Sequence, residues 1–169
     1  MINRYANLLS PFQVGGVVFR NRIFTAPMGL HALQGGELYP TEAIITHYAN
    51  KAKGGAAVVT CSGTGAYPVT PDKDHLAYDI YIGHSQHYLA QLADSIHFYG
   101  AKASMEIQAQ ASDPTYGVVG GQELRGPFAA PGAKTKELDR EGMDQVKENL
   151  RQQVTILKRI GYDMCMLHM

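Results

Sequence analysis

Two residues combine a reactive side chain with a revealing position: Glu106 and His168, each closing a short run of apolar residues. A carboxylate after Ala103-Ser104-Met105 needs a polar partner or a shifted ionisation, because an unpaired charge is costly to bury. The same holds for an imidazole after Met164-Cys165-Met166-Leu167. Position alone leaves a functional and a structural role open for both. Cys61, after Ala56-Ala57-Val58-Val59-Thr60, reads as a reactive thiol or as a small buried hydrophobe. His84 and His87 lie three apart with no Cys partner and no Glu-x-x-His pattern, so they read as surface histidines. Gly63-Thr64-Gly65 lacks the third glycine of a dinucleotide fingerprint and has Pro68 close behind, which makes it a loop device. No Ser-His-Asp ordering and no zinc-ligand spacing stands out, so no metal site is expected.

These groups need elements to position them. Residues 12–19 are two extended runs around Gly15-Gly16, the pattern of a tight hairpin. Arg22-Ile23-Phe24-Thr25-Ala26 reads as a strand ended by Pro27. Thr41 is placed to cap a helix through Ile44, Ile45 and Tyr48 that stops at Gly54-Gly55. Residues 56–60 form a buried-type strand, and 62–80 a polar loop. Tyr88, Leu89, Leu92 and Ile96 share one face of a second helix, ended by Gly100 before a strand over 101–107. The Gly-, Pro- and Ala-rich stretch from Ala111 to Lys136 is too long for a mere connector. Asp139 is placed to cap a last helix with the face Met143, Val146, Leu150, Val154 and Leu157; Gly161 ends it, and residues 162–169 form a fourth strand.

Strands alternating with helices imply a parallel α/β sheet with helical crossovers, and functional groups then gather at the C-terminal strand ends. A (β/α)8 barrel typically takes about 250 residues; this chain has 169 and reaches only the fourth strand. The expected architecture is therefore an N-terminal hairpin plus about four strands, a half-barrel. Because exposed sheet edges are a liability, a fragment of a longer protein is favoured over a self-sufficient monomer.

Composition removes other classes. Fifteen Lys plus Arg balance fifteen Asp plus Glu, and no basic run is present, so neither nucleic acid nor a membrane surface is an expected partner. No stretch approaches the ~20 apolar residues of a membrane helix. Residues 1–5 carry no apolar signal core. Two cysteines cannot build a disulfide framework, which fits a reducing, cytoplasmic setting.

Several short motifs occur in order along the chain: Asn7-Leu8-Leu9-Ser10-Pro11-Phe12, Asn21-Arg22-Ile23, Ala26-Pro27-Met28, His47-Tyr48-Ala49, Gly54-Gly55-Ala56-Ala57-Val58-Val59, His97-Phe98-Tyr99-Gly100-Ala101-Lys102, Lys136-Glu137-Leu138 and Gly161-Tyr162-Asp163. Together they resemble the Old Yellow Enzyme family of FMN-dependent ene-reductases and NADH:flavin oxidoreductases. The resemblance implies a (β/α)8 TIM barrel whose N-terminal hairpin plugs the bottom, with FMN over the C-terminal strand ends. It assigns flavin contacts to Thr25, Ala26, Pro27 and Met28. Gly29 stands where the family usually has Thr or Cys, so a flavin-tuning hydrogen bond is absent. Cys61 matches a small residue beside the flavin. Glu106 replaces the usual Gln that reads the pyrimidine edge of the ring, and Ala109-Gln110-Ala111 replaces the family's His-Ala-Gly. His168 matches the first member of a pair that anchors the substrate's carbonyl oxygen.

The implied reaction takes hydride from NAD(P)H through FMN to an activated alkene or similar acceptor. The implied proton-donating Tyr and the phosphate site fall beyond residue 169, so the chain alone is expected to be inactive. Its implied partners are a small-molecule substrate and a missing barrel half. The competing reading is a non-catalytic half-barrel that associates with itself or a partner half through its open edges.

Overall fold

Alternation of side chains along parallel strands sets the layering. The computed structural model describes residues 4–30, 33–34, 36–65, 78–108, 125–126 and 136–168. A one-turn helix α1 (Ala6–Leu9) leads into the hairpin β1 (Phe12–Val14) and β2 (Val17–Phe19). Then come β3 (Phe24–Thr25), α2 (Glu42–Lys53), β4 (Val58–Gly65), α3 (Gly83–Phe98) and β5 (Lys102–Gln108). The short strands β6 (Arg125–Gly126) and β7 (Lys136–Glu137) precede α4 (Arg140–Arg159) and β8 (Met164–His168). The four longer-range strands form one parallel sheet in the order β3-β4-β5-β8. Among the described residues β3 and β8 are its outer strands.

One face of that sheet is covered by helices. Val59 and Cys61 of β4 and Ala103, Met105 and Ile107 of β5 pack with Ile44 and Tyr48 of α2, Leu89, Leu92 and Ile96 of α3, and Leu157 of α4. The alternate residues point to the other face, where Val58 joins Phe12, Val17 and Phe19 of the hairpin and Met164 of β8. Phe12, Phe19 and Phe24 stack there, with neighbouring ring centroids 5.1–6.2 Å apart. The hairpin thus fills the N-terminal end of the inner face. Arg20 locks it in place by donating from its guanidinium to the carbonyls of Ala52, Ala56 and Tyr99. Asn21 adds a bond of 2.8 Å to the carbonyl of Gly55.

Local chemistry explains the helix ends. The Thr41 hydroxyl accepts from the Ile44 N–H at 3.3 Å, and the Asp139 carboxylate accepts from the Gly142 N–H at 2.7 Å. Past α3 and α4, Gly100 (φ 74°) and Gly161 (φ 102°) take the left-handed conformation that lets the chain turn into the next strand.

Several boundaries differ from the sequence expectation. The first strand of the sheet, β3, is shorter than residues 22–26, with the Arg22 backbone N–H bonded to the Leu8 carbonyl rather than to a neighbouring strand. The second is longer. Gly63-Thr64-Gly65 continues β4 through a register shift between Cys61 and Thr64, held by pairing to Ile107 and Gln108, so it is no loop. Of the stretch expected to be a polar loop, Tyr78, Asp79 and Ile80 are buried, and residues 66–77 lie outside the described residues. Most of the stretch from Ala111 to Lys136 lies outside them as well. On α4, Met143 and Val154 are exposed and the buried positions are Val146, Gln153 and Leu157. Gln153 can be buried because Thr64 donates to its amide oxygen at 2.8 Å.

Candidate functional site

The C-terminal ends of β4, β5 and β8 bring three polar side chains onto a fourth. Register places Ser62, Glu106 and Gln108 on the inner face, because Cys61, Met105 and Ile107 take the helix face. Pairing of β5 with β8 sets Gln108 opposite His168. Glu106, only 5 % exposed, collects all of these partners. Its Oε2 accepts from the Ser62 hydroxyl at 3.1 Å and from the Gln108 amide at 3.2 Å. Its Oε1 lies 2.8 Å from His168 Nδ1. Among the described residues, the polar partners that the sequence demanded for a buried carboxylate are these three groups, with no Lys or Arg among them.

The carboxylate sits between the hydroxyl and the imidazole. The histidine therefore has no contact through which to take a proton from Ser62, and this is not a nucleophilic triad. It is an acceptor site with spare capacity at its rim. The Gln108 amide has a second N–H, and the His168 side chain is 62 % exposed.

A second tie joins this cluster to the turn after β3. Buried Tyr48 donates its hydroxyl to the Met28 carbonyl at 2.9 Å and accepts the Ser62 N–H at 3.0 Å. Burial, with smaller contributions from Cys61 and Glu106, pushes the Tyr48 hydroxyl well above the ordinary phenol range, so it works as a neutral hydrogen-bonding group. Beside it, Met28, Gly29, Leu30, Gln34, Ile44, Ser62 and Tyr78 line a small pocket. The Gln34 amide nitrogen donates to the carbonyls of Glu37 and Tyr39, which leaves its buried Oε1 without a partner among the described residues.

The residues singled out in the sequence divide accordingly. Glu106 and His168 are in direct contact. Thr25 lies on the β3–β4 seam, where its hydroxyl accepts the Thr60 N–H at 3.2 Å. Ala26, Pro27, Met28 and Gly29 form the turn above that seam, with Met28 largely exposed and joined to Ser62 through Tyr48. Of the two readings of Cys61, the structure matches the small buried hydrophobe rather than the reactive thiol. It is fully buried in the helix-facing core, where burial pushes its thiol far up, and Ser62 rather than Cys61 meets Glu106. The reason is period two: a one-residue step along a strand reverses the face. His84 and His87 are exposed, away from the cluster.

Sequence reasoning missed Ser62, Gln108, Tyr48 and Gln34. Ser62 and Gln108 were within reach of it, since each lies at or beyond a strand end on the parity of Glu106. Tyr48 was not, because its hydroxyl emerges from a residue otherwise placed like any core aromatic.

Comparison with known proteins places this geometry in context. The sequence profile of the NADH:flavin oxidoreductase / NADH oxidase family matches residues 7–163. An NADPH dehydrogenase of Listeria monocytogenes is 25 % identical over 169 residues, covering 96 % of this chain and 48 % of that protein. An NADPH dehydrogenase of Halalkalibacterium halodurans is 29 % identical over 172 residues, covering 95 % of this chain and 47 % of that one. Among solved structures, Old Yellow Enzyme from Pichia sp. AKU4542 superposes with a TM-score of 0.79 at 18 % identity, covering 96 % of this chain and 45 % of that chain. That likeness establishes the fold, a part of a TIM barrel. The chain spans about half the length of the curated relatives it matches.

Proposed function

This chain belongs to the NADH:flavin oxidoreductase / NADH oxidase family, and from that premise we propose that it is the N-terminal part of an FMN-dependent oxidoreductase that passes hydride from NAD(P)H to an activated alkene or similar acceptor. The observation that carries the reading is the Glu106 cluster at the C-terminal ends of parallel strands, the end where such barrels assemble their sites. Its donor set suits the pyrimidine edge of a flavin. The Glu106 carboxylate can accept a ring N–H, and the free N–H of Gln108 can meet a neighbouring ring carbonyl. Thr25, Ala26, Pro27, Met28 and Gly29 would flank the ring from the turn after β3, and Cys61 would support this region from the helix side. When bound, FMN would supply hydride acceptance and donation, chemistry that no protein side chain provides.

The chain's own residues would do the positioning. Tyr48 holds the Met28 carbonyl and the Ser62 N–H together, which fixes the β3 turn against the end of β4. Ser62, Gln108 and His168 hold Glu106 in one orientation, and His168 would touch the polar end of the substrate. Among the described residues no Lys or Arg joins the cluster to hold a phosphate, and β3 and β8 carry exposed Phe24 and Leu167 at the two outer strands. We therefore assign the phosphate grip and the proton donor to a further barrel half, and regard the isolated chain as inactive. The outer strands equally suit a non-catalytic half-barrel that pairs with a second copy, and the test separates the two. A cytoplasmic setting belongs to the same proposal; among the described residues no helix is long and apolar enough to cross a membrane.

The test is a chimera in which this chain continues, after His168, into the segment of the Halalkalibacterium halodurans relative that it does not match. The chimera is expected to purify with FMN and to oxidise NADPH when given 2-cyclohexenone, with turnover reduced in His168→Ala at unchanged FMN content. A folded, flavin-free chimera would refute the reading. A dimer of the unfused chain that takes up no FMN in either form would favour the non-catalytic one.

A further inference from the structure

Two polar groups at the small pocket beside the turn after β3 lack partners, and they come from separate parts of the chain. Gln34 directs its amide nitrogen to the carbonyls of Glu37 and Tyr39, which fixes the orientation of the amide. Its Oε1 is therefore an acceptor, buried and without a donor among the described residues. Tyr78 is 5 % exposed, and no hydrogen bond engages its hydroxyl among the described residues. Burial pushes that hydroxyl up, so it keeps the proton it can donate. Both residues line the pocket, together with Ser62 and the turn at Met28. The pocket volume is about 10 Å³, at the lower end of the ~10–15 Å³ that a single water requires.

We propose that this pocket is a binding site for one water molecule, which accepts the Tyr78 O–H and donates to Gln34 Oε1. Ser62 Oγ, which has lone pairs whichever way its proton points, is a third partner on the pocket wall. About three bonds are what a buried water usually makes. The pattern of donor and acceptor selects the ligand. An ammonium ion has no lone pair for the Tyr78 proton, and a carbonyl compound has no proton for Gln34. An alcohol matches the pattern, but its carbon does not fit the volume. The water ties three segments that are far apart in sequence. They are the one after β3, the end of β4, and the one that Tyr78 returns to β4 by donating its N–H to the Gly63 carbonyl at 2.7 Å. It is a bound part of the fold beside the β3 turn, whether or not the chain takes a flavin.

The test uses the chain without flavin, so failure of FMN to bind would count against the proposed function and leave this inference standing. Oxygen-17 relaxation dispersion of the solvent counts waters held longer than the protein tumbles, and it is blind to exchanging hydroxyl protons. Tyr78→Phe removes the donor and adds nothing to the pocket wall. It is expected to hold one such water fewer than the wild type. Its folding constant in urea titration is expected to fall about fivefold, the factor of one net hydrogen bond. A buried hydroxyl with no partner behaves differently, since its removal leaves stability unchanged or raises it. That result overturns the proposal. So does a fivefold loss at an unchanged water count, which would mean that Tyr78 bonds Gln34 directly. Should Tyr78→Phe fail to fold, a high-resolution crystal structure of the wild-type chain decides. Density for a water within hydrogen-bond distance of Tyr78 Oη and Gln34 Oε1 supports the site, and its lack overturns it.

Discussion

The two ends of the parallel sheet use polar side chains in opposite ways. At the N-terminal end they are consumed. The Arg20 guanidinium is spread over three backbone carbonyls that join the hairpin to the segments before β4 and β5. Asp163 takes His97 at 2.7 Å, Lys102 at 3.0 Å and the Ala103 N–H at 2.9 Å. At the C-terminal end, Glu106 is equally well surrounded, yet its partners keep bonding capacity, and Gln34 Oε1 is buried without a partner among the described residues. Saturated polar groups stabilise a fold, whereas groups with unused capacity are available to a ligand. The lower end reads as a lock and the upper end as a site.

Substitutions at the two ends should separate stability from binding. The largest expected loss is at Arg20. Charge-assisted bonds contribute ~1.5–3 kcal/mol each at most, so Arg20→Ala should lower unfolding free energy by about 3 kcal/mol in urea titration. Arg20→Lys should recover only part of that, since a point charge cannot span three carbonyls. Next comes Tyr48→Phe, which removes one donor and one acceptor and should cost about 1–2 kcal/mol, with hydrogen exchange at the Ser62 amide accelerated. An unchanged Ser62 amide would break the link drawn between the β3 turn and the cluster.

Asp163→Asn should cost about 1 kcal/mol near neutral pH. Burial alone would raise the Asp163 carboxyl, but the bonds from His97, Lys102 and Ala103 outweigh it and hold the group below the usual carboxylate range. Its contribution is therefore full above the ordinary Asp value and fades as pH falls through the lowered one. Wild type and Asp163→Asn should converge in acid, and a gap that widens there would contradict the assignment. The smallest stability effect belongs to His168→Ala, within about 0.5 kcal/mol for so exposed a side chain. A large stability loss at His168 would erase the contrast between lock and site.

The order of the hairpin, the four sheet strands and the three long helices was legible from the sequence, as were two helix caps, because Thr41 and Asp139 act through residues three further on and glycines mark the ends of α3 and α4, whereas α1, β6 and β7 were not. Glu106 and His168 were legible as residues needing partners. The identity of those partners was not, since Ser62 meets Glu106 only through strand pairing across 44 positions. Cys61 shows the cost of a single step, for its composition and place fit a site residue while its parity assigns it to the core. Gln153 escaped for a related reason: an amide on an apolar helix face gives no sign that Thr64 of β4 will satisfy it.

On the function proposed above, this chain carries one part of a flavin site whose remainder lies in a further barrel half. The most direct measurement mixes the purified chain with FMN, NADPH and 2-cyclohexenone and follows NADPH absorbance. Oxidation is expected at the rate of the protein-free blank, because orientation of the ring, a phosphate grip and a proton donor must act together. Steady oxidation above the blank that disappears in His168→Ala would contradict it.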